Sequence, residues 1–417
     1  MHMPRSLWKE FAADRIDHRE LQHIIRRHFP SGSQPGMREV VYPGETEYAI
    51  KLKFSKNDTL TRIEAGPLLT AALEATLISS INDALVVTGP KVFRHVLFAD
   101  HKLTGSWRYK DQFQVIPVPP QAPQLNCLLG DHPFVLEIRI DCSKDGFITN
   151  RRAGQAMRNT ELLLAGLVNS SVHHLAARSL YGYWVRLPGD DHRVAYLHPH
   201  YHCDALVSTD DFTCTGTLAP VIPPRERFAP YSMSLGAPFS VPDGLDEVLD
   251  GYQSSSPMVQ ERFLRSCYWL QRADRSFVES FSAAFMAVVT AAEVLFDSKP
   301  AEKCRCCDQP KYGLSNAFSQ LLETHVPLAE LFGNGRHEQR DFRARLKYLY
   351  GTRSKITHGG DLRGWDAGSP GFTPLESKDD DDLRTLLRIM PFALAGWVRT
   401  VAEARQGAKP PTLSGSV

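Results

Sequence analysis

Arg353 and His358 are separated by four residues in the segment Tyr350-Gly-Thr-Arg-Ser-Lys-Ile-Thr-His-Gly359, which closes a stretch of helical periodicity. An arginine and a histidine together can cleave RNA without a metal. The imidazole can take a proton from a 2′-hydroxyl or give one to the leaving 5′-oxygen. The guanidinium can hold the phosphate and stabilise the charge that builds in the transition state. Arginine suits this better than lysine, because its planar fork grips two oxygens. On a regular α-helix, side chains five residues apart point about 140° away from each other. They converge if the helix frays or ends near the histidine, and Gly359-Gly360 supplies such an end. A two-fold dimer would also bring two such pairs into one cleft. The spacing alone is unspecific; a surface salt-bridge arginine and a helix-capping histidine would show the same pattern.

The surroundings of the pair are basic. Between residues 336 and 355 stand Arg336, Arg340, Arg343, Arg345, Lys347, Arg353 and Lys355, opposed by Glu338 and Asp341. Such a patch binds phosphates through counterion release, although a solvated helix face has the same composition. Tyr348 and Tyr350 can stack on bases, with apolar packing the job of at least one. The elements that position these residues are helical. The pattern predicts helices over 258–273, 275–296, 316–325, 337–358 and 379–404. The acids Asp379 to Asp382 suit the positive end of the last one. Five helices with loops between them make a bundle.

The string from Tyr350 to Gly359 resembles the R-x4-6-H motif of the HEPN superfamily, and most of all the Y-x-x-R-S-x-x-x-H-G form of its Apea-like branch. The segment Ala291-Ala-Glu293-Val-Leu295 is similar to that branch's helix with an embedded glutamate. The resemblance covers roughly residues 258–405 and implies an all-α HEPN-like bundle over 257–406. It implies a metal-independent RNA endonuclease, with no cofactor and with Arg353 and His358 as the catalytic pair. Ser354 takes the polar slot after the arginine, and Glu293 is the residue that orients the site. Arg340, Arg343, Arg345, Lys347, Lys355 and Tyr350 are the expected RNA contacts. The resemblance further implies a homodimer through the bundle and a toxin-like role in bacterial defence against phage, or abortive infection. Some family members are inactive scaffolds that bind RNA or protein, and that is the alternative function.

Two clusters could instead hold zinc. Cys304-Arg-Cys306-Cys307 lies in a loop but lacks the paired C-x2-C pattern. His198, His200 and His202 share one face of an expected strand. Cys304, Cys306, Cys307, His200 and His202 are therefore the weaker, metal-dependent alternative. The P-loop, the nucleophile elbow, the H-E-x-x-H helix and the dinucleotide-binding fingerprint are all missing from the sequence.

The N-terminal half reads as α+β. Residues 1–44 are polar and mixed, an expected arm with a short helix over 15–28. Strands are expected over 48–54, 85–98, 103–118, 134–142, 181–187 and 194–202, and helices over 65–85 and 153–177. At one constant offset, Ile50 matches Ile138, Ser55 Ser143, Lys56 Lys144, Thr61 Thr149, Ala65 Ala153 and Gly66 Gly154. This suggests a duplicated β-α-β-β unit. Residues 45–225 would then be a sensor or regulatory domain, with a phage-derived trigger as its partner. The Pro-, Gly- and Ser-rich stretch 226–256 reads as a linker and 407–417 as a tail.

Of the 417 residues, 42% are apolar and the formal net charge is +1, so any nucleic-acid surface must be local. Eight scattered cysteines and a polar start fit the cytoplasm. No apolar stretch suits a membrane span.

Overall fold

A computed structural model describes residues 5–43, 47–56, 58–118, 132–168, 172–173, 183–186, 194–197, 208–214, 216–219, 221–222, 239–277, 279–296, 302–303, 310–311, 313–327, 336–363, 366 and 374–407. An N-terminal mixed region of helices and antiparallel sheets precedes a mostly helical C-terminal region, as the sequence leads one to expect. The chain forms two compact units. The first comprises Met1–Phe93, Arg139–Ala156 and Ser208–Asp211; the second comprises the remainder.

In the first unit, helix α1 (His18–His28) precedes an antiparallel sheet of β1 (Ser33–Gly36), β2 (Glu39–Tyr42), β3 (Ile50–Phe54) and β4 (Leu60–Ala65), paired in that order. Helix α2 (Ala71–Leu85) follows. Asp17 starts α1 by accepting the amides of Arg19 and Glu20 at 2.8 and 3.3 Å. Thr70 does the same for α2. The core gathers Leu21, Ile24 and Ile25 of α1, Tyr42, Ile50, Leu52 and Ile63 of the sheet, and Leu77 and Ile81 of α2. Leu7 and Phe11 are fully buried in it too. The expected N-terminal arm is therefore corrected: its apolar residues are few but fall on one face, and the sheet needs that face to cover it.

Strand β5 (Val87–Ala99) leads to the hairpin β6 (Trp107–Tyr109) and β7 (Phe113–Pro117), then to β8 (His132–Ser143). The single strand expected over 103–118 is thus two, turned at Lys110, whose φ is +48°. Helix α3 (Gly146–Leu167) follows, and β9 (Val172–His173) completes a sheet ordered β6-β7-β8-β5-β9. The helix expected over 153–177 begins earlier, because Asp145 accepts the amides of Phe147 and Ile148. It also ends earlier, and β9 lies inside the expected range.

The suggested repeat fails on the same grounds. Thr61 and Ala65 lie in strand β4, whereas Thr149 and Ala153 lie in helix α3. Gly66 sits in a turn whose amide bonds to the Ala49 carbonyl, and Gly154 is inside a helix.

Short antiparallel strands β10 (Tyr183–Arg186) and β11 (Val194–Leu197) pair within the two expected strand regions. Strands β12 (Val221–Ile222) and β13 (Val241–Pro242) pair in parallel. The expected linker contains a packed helix, α4 (Leu245–Ser254), with Val248, Leu249 and Tyr252 buried. Gly244 and Ser255 stand at the two ends of this helix, while residues 226–238 of the expected linker lie outside the described residues.

The remaining helices are α5 (Pro257–Ser276), α6 (Phe281–Glu293), α7 (Leu314–His325), α8 (Arg336–Ser354) and α9 (Pro374–Gly407), with a short hairpin β14 (Glu302–Lys303) and β15 (Pro310–Lys311) before α7. The chain breaks between α5 and α6 where Ser280 caps α6, later than the sequence pattern placed it. Phe263, Phe281, Phe285, Phe318, Leu346, Leu349, Ile389 and Val398 form the buried interior. No helix among the described residues is long and apolar enough to cross a membrane.

Candidate active site

Helix α8 does not end as an α-helix. Residues Lys355–Gly359 form a π turn, and Gly360, with φ +69°, closes it by donating its amide to the Lys355 carbonyl. A π turn holds one residue more than an α turn, and its hydrogen bonds join residues five apart. Arg353 and His358 are five apart, so the turn brings their directions closer than the roughly 140° of a regular helix. The sequence pointed to a frayed end; the structure supplies an ordered wider turn. At the junction of the two hydrogen-bond registers, the Thr357 hydroxyl donates to the Arg353 carbonyl at 2.9 Å.

Arg353 is held by α6. Its Nη2 donates to Glu293 Oε2 at 3.0 Å, and both side chains are 18% exposed. The Tyr350 hydroxyl donates to the other oxygen, Oε1, at 2.8 Å. Glu293 thus ties two residues of α8 into one fixed arrangement. Burial, followed by the hydrogen bond to Glu293 and its charge, pushes the Tyr350 phenol well above its usual range, with Arg353 opposing. Tyr350 therefore stays a neutral donor. Arg353 Nε is buried and has no hydrogen-bond partner among the described residues. A buried donor left unpaired costs about 1–3 kcal/mol.

Glu293 stands at the last turn of α6, whose end is fixed by α5. Ser266 donates to the Ala291 carbonyl at 2.6 Å and Arg262 to the Val294 carbonyl at 3.1 Å. The other end of α6 is fixed by the loop that follows the π turn. Asp366 accepts from the Ser280 hydroxyl at 2.8 Å and from the amides of Phe281 and Ser282 at 3.1 and 2.7 Å. Burial works against the Asp366 charge, yet these donors outweigh it and hold the carboxyl below its usual range. The Arg363 amide donates to the Ser282 hydroxyl at 3.1 Å. One short helix therefore grips the motif before and after His358.

His358 is exposed, and its ring makes no hydrogen bond with a described residue. Ser354 is half-buried and its hydroxyl caps nothing. Lys347 and Lys355 are exposed and form no ion pair with a described residue.

Other expected contacts are placed differently. Tyr350 is buried with its ring 5.5 Å from that of Phe318, so it cannot stack on a base. Tyr348 is the exposed one of the two, with the Lys378 ammonium 4.1 Å from its ring. Arg343 pairs with Glu323 at 3.1 Å, and Arg345 pairs with Asp381 and Asp382 at 2.7 and 2.8 Å. Folding thus supplies three carboxylates that the local sequence count leaves out. Arg345 joins α8 to α9 and is not a free phosphate contact. The Arg340 side chain lies outside the described residues, as do Cys304, Cys306, Cys307, His198, His200 and His202. Among the described residues there is no group of three metal-ligating side chains.

Asp366 escaped the sequence reading because it is 84–86 residues from its partners. Its local signal is only the serine before α6, a common helix start. No family model, curated protein or solved structure matches the chain.

Proposed function

We propose that the protein is a metal-independent RNA endonuclease of HEPN type, with Arg353 and His358 as its catalytic pair. The observation that supports this best is the Glu293 clasp on Tyr350 and Arg353, followed at once by a π turn that presents His358 unpartnered to solvent. Structural salt bridges do not need an exposed histidine beside them, whereas a proton-transfer group must reach its substrate.

In this reading Arg353 gives its remaining donors to the scissile phosphate. His358 moves a proton between the 2′-hydroxyl and the 5′-oxygen. The 2′-oxygen bonds to phosphorus as the 5′-oxygen leaves, giving a 2′,3′-cyclic phosphate and a 5′-hydroxyl. Lys347 and Lys355 flank the strand. Glu293 and Tyr350 position Arg353 without touching RNA. A homodimer would place two pairs in one cleft. The resemblance also supports a toxin-like role in bacterial defence against phage, exercised in the cytoplasm, with the N-terminal region sensing a phage-derived trigger.

The test is cleavage of single-stranded RNA in EDTA, with the new ends sequenced, together with growth on induced expression with and without phage. Arg353→Ala and His358→Ala should each lower cleavage by at least about 10²-fold, the usual worth of such groups, while remaining folded and abundant. Full activity in both variants would sink the mechanism and leave a binding scaffold.

A further inference from the structure

A second surface, wholly within the first unit, carries free arginines around an exposed aromatic stack. Phe147, in the first turn of α3, is 47% exposed. Its ring lies parallel to that of His23 on α1, with centroids 4.1 Å apart and an interplanar angle of 15°. The Arg27 guanidinium sits 5.6 Å from the Phe147 centroid. Helical spacing gathers the charges at this point. Arg26 and Arg27 are three and four residues after His23 on α1, and Arg151 is four after Phe147 on α3, so all three are side-chain neighbours of the stack. Burial, then the charges of Arg151, Arg27 and Arg26, hold the His23 imidazole below its ordinary range, with Asp145 opposing. The ring is therefore a neutral stacking partner.

Ordinary structural roles account for part of this cluster. Arg27 pairs with Asp145, and Arg152 is held by both oxygens of Glu20 at 2.8 and 2.9 Å. The last turn of α1 also favours cations. Neither reason covers Arg151, which lies in the second turn of α3. Arg26 and Arg151 have no ion-pair partner among the described residues. Like charges gathered around one ring repel each other, and a polyanion would relieve that. Unpaired arginines beside a partly exposed aromatic stack are what a single-stranded nucleic acid uses, phosphates on the cations and a base against the rings.

We infer that the α1–α3 face bearing His23, Arg26, Phe147 and Arg151 docks single-stranded RNA, separately from the site of cleavage. RNA as the ligand rests on the function proposed above; the binding surface rests on its own geometry.

The test uses the full chain carrying His358→Ala, so that RNA survives, and a fluorescent single-stranded RNA oligonucleotide titrated across a salt series. Adding Arg26→Gln and Arg151→Gln should weaken binding and lower the log–log salt slope by about 1.4, at roughly 0.7 per lost phosphate contact on a single strand. Arg26→Lys should keep the slope. Phe147→Ala should weaken binding on the order of tenfold through lost stacking. Circular dichroism melts check that each variant is folded, and the single arginine variants carry the same test if the double does not fold. An unchanged slope overturns the inference. So does a slope that falls while Phe147→Ala binds normally, because that describes a general polyanion surface. Loss of this binding with cleavage data intact leaves the ribonuclease reading standing. Failure of His358→Ala to stop cleavage sinks the ribonuclease reading alone.

Discussion

Glu293 uses both carboxylate oxygens on one neighbouring helix, one for the Tyr350 hydroxyl and one for Arg353. The two contacts are coupled because they share an acceptor. Tyr350→Phe should cost about 1 kcal/mol of unfolding free energy, the usual net worth of one hydrogen bond. Glu293→Ala should cost more, about 1.5–3 kcal/mol, because it strands a partly buried guanidinium. The double variant should fall short of the sum by at least 0.5 kcal/mol, measured by urea unfolding at pH 7. Strict additivity would mean that the residues act independently. Arg353, His358 and Glu293 were legible as residue types in a recognisable string. The tyrosine was legible as the start of that string and as an aromatic that could meet RNA, but its hydroxyl's partner lies 57 residues away. For Arg343 and Arg345 the sequence misled, since Glu323, Asp381 and Asp382 arrive from other helices.

At the scale of elements, α6 works as a ruler for the motif, with Glu293 at one end and the Asp366 cap at the other. The folded Asp366 carboxyl lies below its unfolded value of about 3.9. Its contribution is therefore present above about pH 4 and is lost as pH falls through the lower, folded value. Asp366→Ala should lose about 0.5–2 kcal/mol at pH 7, as for other lost caps. The gap between variant and wild type should close below pH 4 in acid unfolding curves. A gap that stays constant to pH 2 would exclude the carboxylate as its source. Long periodic helices such as α5 and α9 were legible, because a buried stripe repeats in sequence. Element ends were not, where caps such as Asp145 for α3 and Ser280 for α6 decide them. Strand β4 was not read from the sequence, because Leu60 to Ala65 is short and its pairing with β3 is a tertiary fact.

At the scale of the molecule, the helical region does not begin at Pro257. Helix α4 packs on α9, and the second half of α3 packs on α5. There Gln271 donates to Glu161 at 2.9 Å and to the Val172 carbonyl at 2.8 Å. A side chain on Gly166 would come within 2.6 Å of the Cys267 sulfur, so this crossing is tight. Cys267 is fully buried there. Residues 257–417 expressed alone would expose both faces, and should show no cooperative melt by circular dichroism. A sharp transition at the temperature of the intact chain would refute this. The same unit holds Glu137, fully buried and bonded to Arg94, Gln114 and Thr213. None of this follows from composition, where a net charge of +1 hides both the buried ion pairs and the α1–α3 arginine cluster.

The π turn at Lys355–Gly359 has a consequence that is best counted in codons. A helix that carries one residue too many in its last turn keeps the turns before it where they were. The distance in sequence between Arg353 and His358 is thus a heritable length that can change by one while the turns of α8 before it stay in register. A single in-frame deletion there would restore an ordinary turn and bring the pair to a spacing of four, still on one face. The motif's spacing is the part of this site with the most freedom to drift, and Glu293, fixed from both ends of α6, is the part with the least.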